Sequence, residues 1–184
     1  PPRGNPRGLD DFLRRAAAGP NPPLVLSLRV QSKGDAFGIN PQVALKILLN
    51  AHSTAVMARL GRVVGNTMTS VSPSNLKLIG RATYLIQSHV NDVLASPQWV
   101  QRYSVRRPVA YGEANAVLFD AIRFVKGRTG EAGRTAEVGL SIIRVLESLK
   151  AKSGLPPERA LALLKSQGLD RYLAEAAGPG TAIR

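Results

Sequence analysis

The chain has 184 residues, enough to bury a core as a single domain, and 44% of them are hydrophobic. Its mean hydropathy of −0.04 excludes a wholly disordered protein, and no apolar stretch approaches the roughly 20 residues of a membrane span. The absence of Cys excludes disulfides, and two His argue against a histidine-based metal site, so we expect neither cofactor nor metal. With no signal-peptide pattern we expect a cytoplasmic protein, and a start at Pro1 leads us to expect a processed chain or a fragment.

The chain is strongly basic. It carries 25 Lys plus Arg against 12 Asp plus Glu, a net charge of +13. Such a charge attracts polyanions, so nucleic acid is one candidate partner. The basic residues are scattered, however, and aromatic residues make up only 5% of the chain, which supplies few rings for base stacking. Nucleic-acid binding is therefore kept as an alternative function.

The N-terminal part combines turn-forming residues with one apolar run. Residues 1–23 are rich in Pro and Gly and are predicted as a flexible segment containing a short helix, Leu9–Ala18. The run Leu24–Val30 is apolar and β-branched, which predicts a buried strand, the only strand we expect. Because a single strand leaves its edges unpaired, we expect this one to pair outside the chain, with another polypeptide or with a second copy.

Two long helices are predicted next. An Asn-Pro start favours a helix from Pro41 to about Val64, with Gly65 at its stop. A second helix, Pro73–Ala95, is predicted with Ser72 as its cap. Its apolar stripe comprises Leu76, Ile79, Thr83, Ile86 and Val90. Two such helices joined by a short loop predict an antiparallel hairpin.

The second half of the chain repeats the helical pattern. The further helices are predicted at about Tyr111–Lys126, Thr135–Lys152, Pro157–Gln167 and Leu169–Ala177. We therefore predict a mainly α fold, a helical bundle built on the hairpin, as a single domain over residues 24–178 with a tail at 179–184. The N-terminal strand is the only β element in this prediction.

Histidines and aromatic residues are predicted to pack rather than react. His52 and His89 have no acid at metal-ligand spacing, so we interpret each as a packing or surface residue. The cluster of Trp99, Arg102 and Tyr103 is either an exposed recognition patch or interhelical packing, and we favour packing.

One stretch of the sequence has a specific residue pattern. Residues 49–78 read LN..ST..M.RLGRV.GN.M..V.PSN.KL, with Lys46 shortly before them. This pattern resembles the C-terminal helical region of the sugar-isomerase-domain family of N-acetylmuramic acid 6-phosphate etherases and glucokinase regulatory proteins. The dense match covers about residues 46–79, a minority of the chain.

The resemblance implies a fold and a chemistry. In the family this helical region packs around an α/β core and helps to close a ligand pocket between subunits. The catalytic glutamates of the etherases lie in that core, in sequence that would precede Leu24. The family's Ser/Thr-rich phosphate loop is replaced here over Ile39–Leu45, and only Lys46 is retained. An enzyme of this kind would be a lyase or isomerase acting on a sugar phosphate, but its catalytic carboxylates are not identifiable in this chain.

Several polar residues of the matched region are candidate ligands. They are Lys46, Asn50, Ser53, Thr54, Asn66, Ser74, Asn75 and Lys77. The first four recur at helical spacing, so most lie on one side of the predicted helix. Residues such as Asn50 either face a sugar phosphate or form hydrogen bonds to the neighbouring helix and loop, because a buried polar group needs a partner.

Three functional classes follow from these observations. The preferred hypothesis is a phosphosugar-binding, sugar-isomerase-like protein, the C-terminal portion of a larger α/β protein or a partner subunit, contributing dimerisation and pocket closure. The alternatives are a basic helical adaptor for nucleic acid and a non-catalytic helical structural protein. In each case we expect the partner to be a second copy of the chain, forming a homo-oligomer, or another polypeptide. We do not expect the chain to associate with a membrane.

Overall fold

The computed structural model describes residues 6–19, 30, 34–105, 107–127 and 136–181. These residues form a mainly helical structure with one two-stranded sheet, which confirms the predicted fold class. The elements are α1 (Pro6–Ala17), α2 (Ile39–Arg59), β1 (Val63–Val64), β2 (Thr67–Met68), α3 (Leu76–Leu94), α4 (Pro97–Tyr103), α5 (Tyr111–Lys126), α6 (Glu137–Ala151), α7 (Pro157–Gln167) and α8 (Leu169–Ala177).

The chain divides into two compact units, Pro1–Thr54 and Ala55–Arg184. The first contains α1 and most of α2. The second contains the remaining elements and all the buried hydrophobic residues of the described chain. The predicted limits of a single domain, 24–178, and of the terminal segments stay predictions.

The core of the second unit is built around α3, which packs on α5, α6 and α8. Of its predicted stripe, Thr83, Ile86 and Val90 are fully buried, whereas Leu76 is 88% exposed. The opposing helices contribute fully buried residues such as Leu118 of α5 and Ile142 of α6. Burial of these apolar side chains is the main favourable contribution to folding.

The helix α2 ends earlier than predicted, at Arg59 rather than Val64. Gly61 has a φ of +67°, its N–H bonds to the Ala58 carbonyl, and the N–H of Arg62 bonds to the Met57 carbonyl. This is a Schellman motif, in which a glycine in the left-handed region closes the helix. The glycine that stops the helix is therefore Gly61.

The residues freed from the helix form an antiparallel hairpin, so the prediction of a single strand in this chain was wrong. Val63 pairs with Met68 and Val64 with Thr67. The two-residue turn begins with Gly65 at a φ of +56°, a geometry that suits tight hairpins. The predicted strand Leu24–Val30 lies outside the described residues except for Val30, which is in no regular element.

The helix α3 begins at Leu76, three residues later than predicted. Asn75 is its cap, and its side-chain oxygen accepts a hydrogen bond of 3.0 Å from the N–H of Leu78. Ser72, the predicted cap, lies in a preceding turn in which its carbonyl accepts from the N–H of Ser74 at 2.8 Å. The stronger local capping geometry at Asn75 sets the start of the helix.

Along its whole length α2 has no buried residue. The predicted packing of α2 and α3 as an antiparallel hairpin therefore stays a prediction. The bundle that the structure describes is formed by α3 to α8 within the second unit.

Replacing Leu118 by Ala is expected to lower the free energy of unfolding by about 2–5 kcal/mol, because it leaves a cavity in a closed core. The matched control is Leu76→Ala, at a residue that is 88% exposed, where we expect a change within about 0.5 kcal/mol. Urea denaturation of both variants measures the difference. Equal effects would show that Leu118 is not part of the core.

Candidate functional site

Four candidate ligand residues lie on α2, and all four are exposed. They are Lys46, Asn50, Ser53 and Thr54. The hydroxyl of Ser53 donates to the Asn50 carbonyl of its own helix at 3.0 Å. That bond is local, so it differs from the predicted alternative of a bond to a neighbouring helix. The other polar groups of this set are presented to solvent from a mostly apolar helix.

The other four candidates lie in the second unit. Asn66 is exposed in the hairpin turn, and Ser74, Asn75 and Lys77 are exposed at the start of α3. The side-chain oxygen of Asn75 already caps α3. Lys77 and the exposed Arg81 are four residues apart on α3 and so share one face. The structure thus brings two cations together on α3 beside two of the predicted polar residues, Ser74 and Asn75, whereas Asn66 lies in the hairpin turn.

A buried histidine connects the hairpin to α3. The Nε2 of His89 lies 3.1 Å from the hydroxyl of Thr67, which itself donates to the Val64 carbonyl at 3.0 Å. Because the hydroxyl proton is used in that bond, we infer that Nε2 carries the imidazole proton and donates to Thr67. The Nδ1 atom is buried without a partner. The prediction that His89 packs is confirmed.

Burial also changes the acidity of His89. Its pKa is lowered below the ordinary value, mainly because the protonated ring would lose its hydration, and the negative charge of Asp92 only partly opposes this. Burial therefore favours the neutral ring, while the contact with Thr67 selects the tautomer that carries its proton on Nε2.

A partly buried polar cluster joins α6 and α8. The carboxylate of Glu147 accepts from the Tyr172 hydroxyl at 2.8 Å and from the Lys150 ammonium at 2.6 Å. The same ammonium lies 4.9 Å from the Tyr172 ring centroid and 5.8 Å from that of Trp99. Burial, followed by the bond to Glu147, raises the pKa of Tyr172. The side chains of Glu147, Lys150 and Tyr172 satisfy one another, which is typical of a structural network.

The aromatic cluster predicted as packing is indeed packed. Trp99 is fully buried, and its ring centroid lies 4.6 Å from that of Tyr103. The guanidinium of Arg102 lies 5.5 Å from the Tyr103 centroid and is itself exposed. The interpretation as interhelical packing is confirmed for Trp99, which lies against Lys150 of α6, whereas Arg102 remains exposed.

A cavity of about 470 Å³ lies between α5 and α6, and we call it the α5–α6 cavity. Its lining comprises Val105, Arg107, Pro108, Val109, Glu113, Val117, Asp120, Arg144, Val145, Ser148, Leu149, Gly154 and Leu155. None of these was predicted as a site residue. These lining residues lie on two helices and two loops that are distant in sequence. A local residue pattern could therefore not have predicted that they line one cavity.

The described residues include no helix long and apolar enough to cross a bilayer. Within the same residues, no three His, Asp or Glu side chains gather as a metal site would require. Some of the described carboxylates form ion pairs with exposed arginines, as Glu113 does with Arg107 and Glu175 with Arg171.

Part of this chain is similar in sequence to one group of enzymes. It is 33% identical over 100 residues to the N-acetylmuramic acid 6-phosphate etherase of Clostridium acetobutylicum, covering 52% of this chain and 33% of that protein. It is 51% identical over 45 residues to the etherase of Porphyromonas gingivalis (24% of this chain, 16% of that protein) and 50% identical over 48 residues to that of Bacillus subtilis (26% and 16%). A segment of this chain is therefore related to these etherases.

The chain spans about a third or less of the length of these curated relatives. No family model matches the chain, and no solved structure matches it. The relationship therefore extends to a segment and not to a complete protein.

The buried His89 predicts a pH-dependent stability. Its pKa in the folded chain is below its unfolded value of about 6.5, so as the pH falls below about 6.5 the unfolded chain takes up a proton that the folded chain does not. The free energy of unfolding should therefore fall with decreasing pH in this range. In His89→Gln this part of the pH dependence should be lost.

Chemical denaturation between pH 7.5 and about 5 measures this slope in both proteins. His52→Gln is the matched control, because His52 is exposed on α2, and it should leave the slope as in the wild type. An unchanged slope in His89→Gln would show that the histidine does not resist protonation in the folded chain.

Proposed function

We propose that this chain is the helical C-terminal portion of a sugar-isomerase-like protein that binds a sugar phosphate, and that it contributes dimerisation and closure of the ligand pocket. The observation that carries the proposal is the similarity to the N-acetylmuramic acid 6-phosphate etherases. The wider grouping with glucokinase regulatory proteins is part of the same proposal. Fold and function separate readily in evolution, so the proposal also needs support from the residues themselves.

The surface of α2 supports a role in assembly. Large hydrophobic residues are exposed in two rows along it, Ile39, Val43 and Ile47 in one row and Leu45, Leu49 and Val56 in the other. A helix that is apolar on more than one side is normally buried. We therefore propose that α2 is covered by an α/β core or by a second copy of the chain.

The start of α3 supports recognition of a phosphate. Lys77 and Arg81 present two positive charges on one face, close to the N-terminus of the helix, where the backbone dipole also favours an anion. Ser74 adds an exposed hydroxyl beside them. These groups are suited to bind a phosphate at the edge of a pocket and to hold it as the pocket closes.

The role proposed for this chain is binding rather than proton transfer. Cleavage of an ether bond next to a carbonyl needs a general base, commonly a carboxylate. The carboxylates of Glu113, Glu147 and Glu175 are each engaged by a cation or a hydroxyl, and that of Glu137 is buried at the start of α6, only 7% exposed. We therefore propose that any catalytic carboxylate of such a protein lies in the α/β core.

Sugar 6-phosphates should stabilise the chain against heat. A ligand present at about 100 times its dissociation constant adds about 2.7 kcal/mol to the free energy of unfolding. Thermal denaturation with N-acetylmuramic acid 6-phosphate and glucosamine 6-phosphate measures the shift, and Lys77→Met should reduce it. The control is Lys165→Met, an exposed lysine of α7, which should retain the full shift.

The absence of stabilisation by every sugar 6-phosphate would contradict phosphosugar binding by this chain. An equal loss in Lys165→Met would show that only net charge matters.

Self-association should depend on the apolar rows of α2. We expect sedimentation equilibrium to give a dimer for the wild type and a monomer for Leu49→Glu, because the new carboxylate would have to be buried in the interface. Ala55→Glu adds the same charge to α2 between the two rows and should leave the dimer intact. A wild type that is monomeric at all concentrations would contradict dimerisation through α2.

A further inference from the structure

The α5–α6 cavity has the dimensions of a small-molecule site. Its volume of about 470 Å³ falls within the range of about 300–1,000 Å³ that is typical of ligand pockets. One wall is the face of α5 that carries Val117, and the other is the face of α6 that carries Val145 and Leu149. The loop residues Val109 and Leu155 also line it. All these side chains are only half-buried, so the cavity interior is an accessible apolar surface.

The charged groups of the cavity are arranged as two ion pairs, and the remaining polar side chain, Ser148, accepts a hydrogen bond from the N–H of Leu155 at 3.0 Å. Arg107 donates to Oε1 of Glu113 at 2.7 Å, and Arg144 lies 3.4 Å from Oδ2 of Asp120. Arg144 also donates from Nε to the Leu155 carbonyl at 3.0 Å, which ties α6 to the loop before α7.

The carboxylates of these pairs have no oxygen left over, whereas the guanidiniums have unused N–H groups. The second oxygen of Glu113 accepts from the N–H of Ala110 at 2.8 Å, and that of Asp120 pairs with Arg123. Each guanidinium carries more N–H groups than its protein contacts use. The cavity therefore offers unused hydrogen-bond donors beside its apolar walls, while the charges of its two arginines are balanced by those of Glu113 and Asp120.

We propose that the α5–α6 cavity is a binding site for a small amphipathic anion, with its apolar body between α5 and α6 and its carboxylate or similar head group on Arg144 and Arg107. The apolar walls exclude a sugar phosphate as the preferred ligand, because its hydroxyls would be buried without partners. The site is therefore distinct from the one proposed at the start of α3, and neither depends on the other.

Octanoate and 2-naphthoate are suitable probes, because they share a carboxylate and differ in having an aliphatic or an aromatic body. Titration of the full chain with each, followed by backbone amide NMR, should give saturable shifts confined to residues around the cavity, such as Val117, Val145 and Leu155. The corresponding alcohols, 1-octanol and 2-naphthalenemethanol, should bind at least tenfold more weakly. Whichever carboxylate binds more tightly identifies the body that the cavity accepts.

Variants separate this site from non-specific binding. Val117→Trp should fill the cavity and abolish the shifts, whereas Ala116→Trp adds the same side chain to an exposed position on α5 and should leave binding unchanged. Gly154→Phe provides a second block that does not disturb the core, because a Cβ at this glycine meets no atom within 4 Å. Arg144→Gln should weaken carboxylate binding about tenfold and leave the weak binding of the alcohols unchanged, with the exposed Arg159→Gln as control.

The proposal is overturned if neither carboxylate gives saturable shifts at the cavity, or if Gly154→Phe binds as the wild type does. Equal affinity for an acid and its alcohol would overturn the role of the two arginines.

Discussion

The structure depends on the burial of one side of α3 against α5 and α6. Ile86 and Val90 of α3 are fully buried there, and α8 also packs against α3. Removing a large buried side chain from such a packed core costs both its transfer free energy and the cavity left behind. The surface features of the second unit, including the α5–α6 cavity and the cations at the start of α3, keep their positions because this core holds the helices.

Polar contacts add to this hydrophobic packing at two places, where the hairpin meets α3 and where α6 meets α8. The hairpin of β1 and β2 is too short to be stable alone, and the contact of Thr67 with His89 attaches it to α3 at the cost of burying an imidazole. The cluster around Glu147 does the same for α6 and α8. The Thr67–His89 and Glu147–Tyr172 contacts each join residues more than 20 positions apart, so each stabilises tertiary structure rather than a local turn.

Local chemistry made most helices predictable. Residues such as Pro157 and Gly168 mark starts and stops directly, and the predicted bounds of α5, α7 and α8 agree with the structure. The region between α2 and α3 was harder, because Gly61 and Gly65 both favour the left-handed region and spacing alone does not tell a helix stop from a hairpin turn. The α5–α6 cavity was beyond prediction from sequence, since it is formed by side chains that only tertiary packing brings together. The candidate ligand residues were identified from family resemblance, and their contacts with a ligand stay predictions.

The position of Trp99 has a practical consequence. It is the only tryptophan of the chain, and it is fully buried with a lysine ammonium near its ring. Its fluorescence therefore comes from a single environment, at the junction of α4, α6 and α8. Loss of that junction exposes the indole to water, so the emission of the unlabelled protein reports directly on the integrity of the second unit.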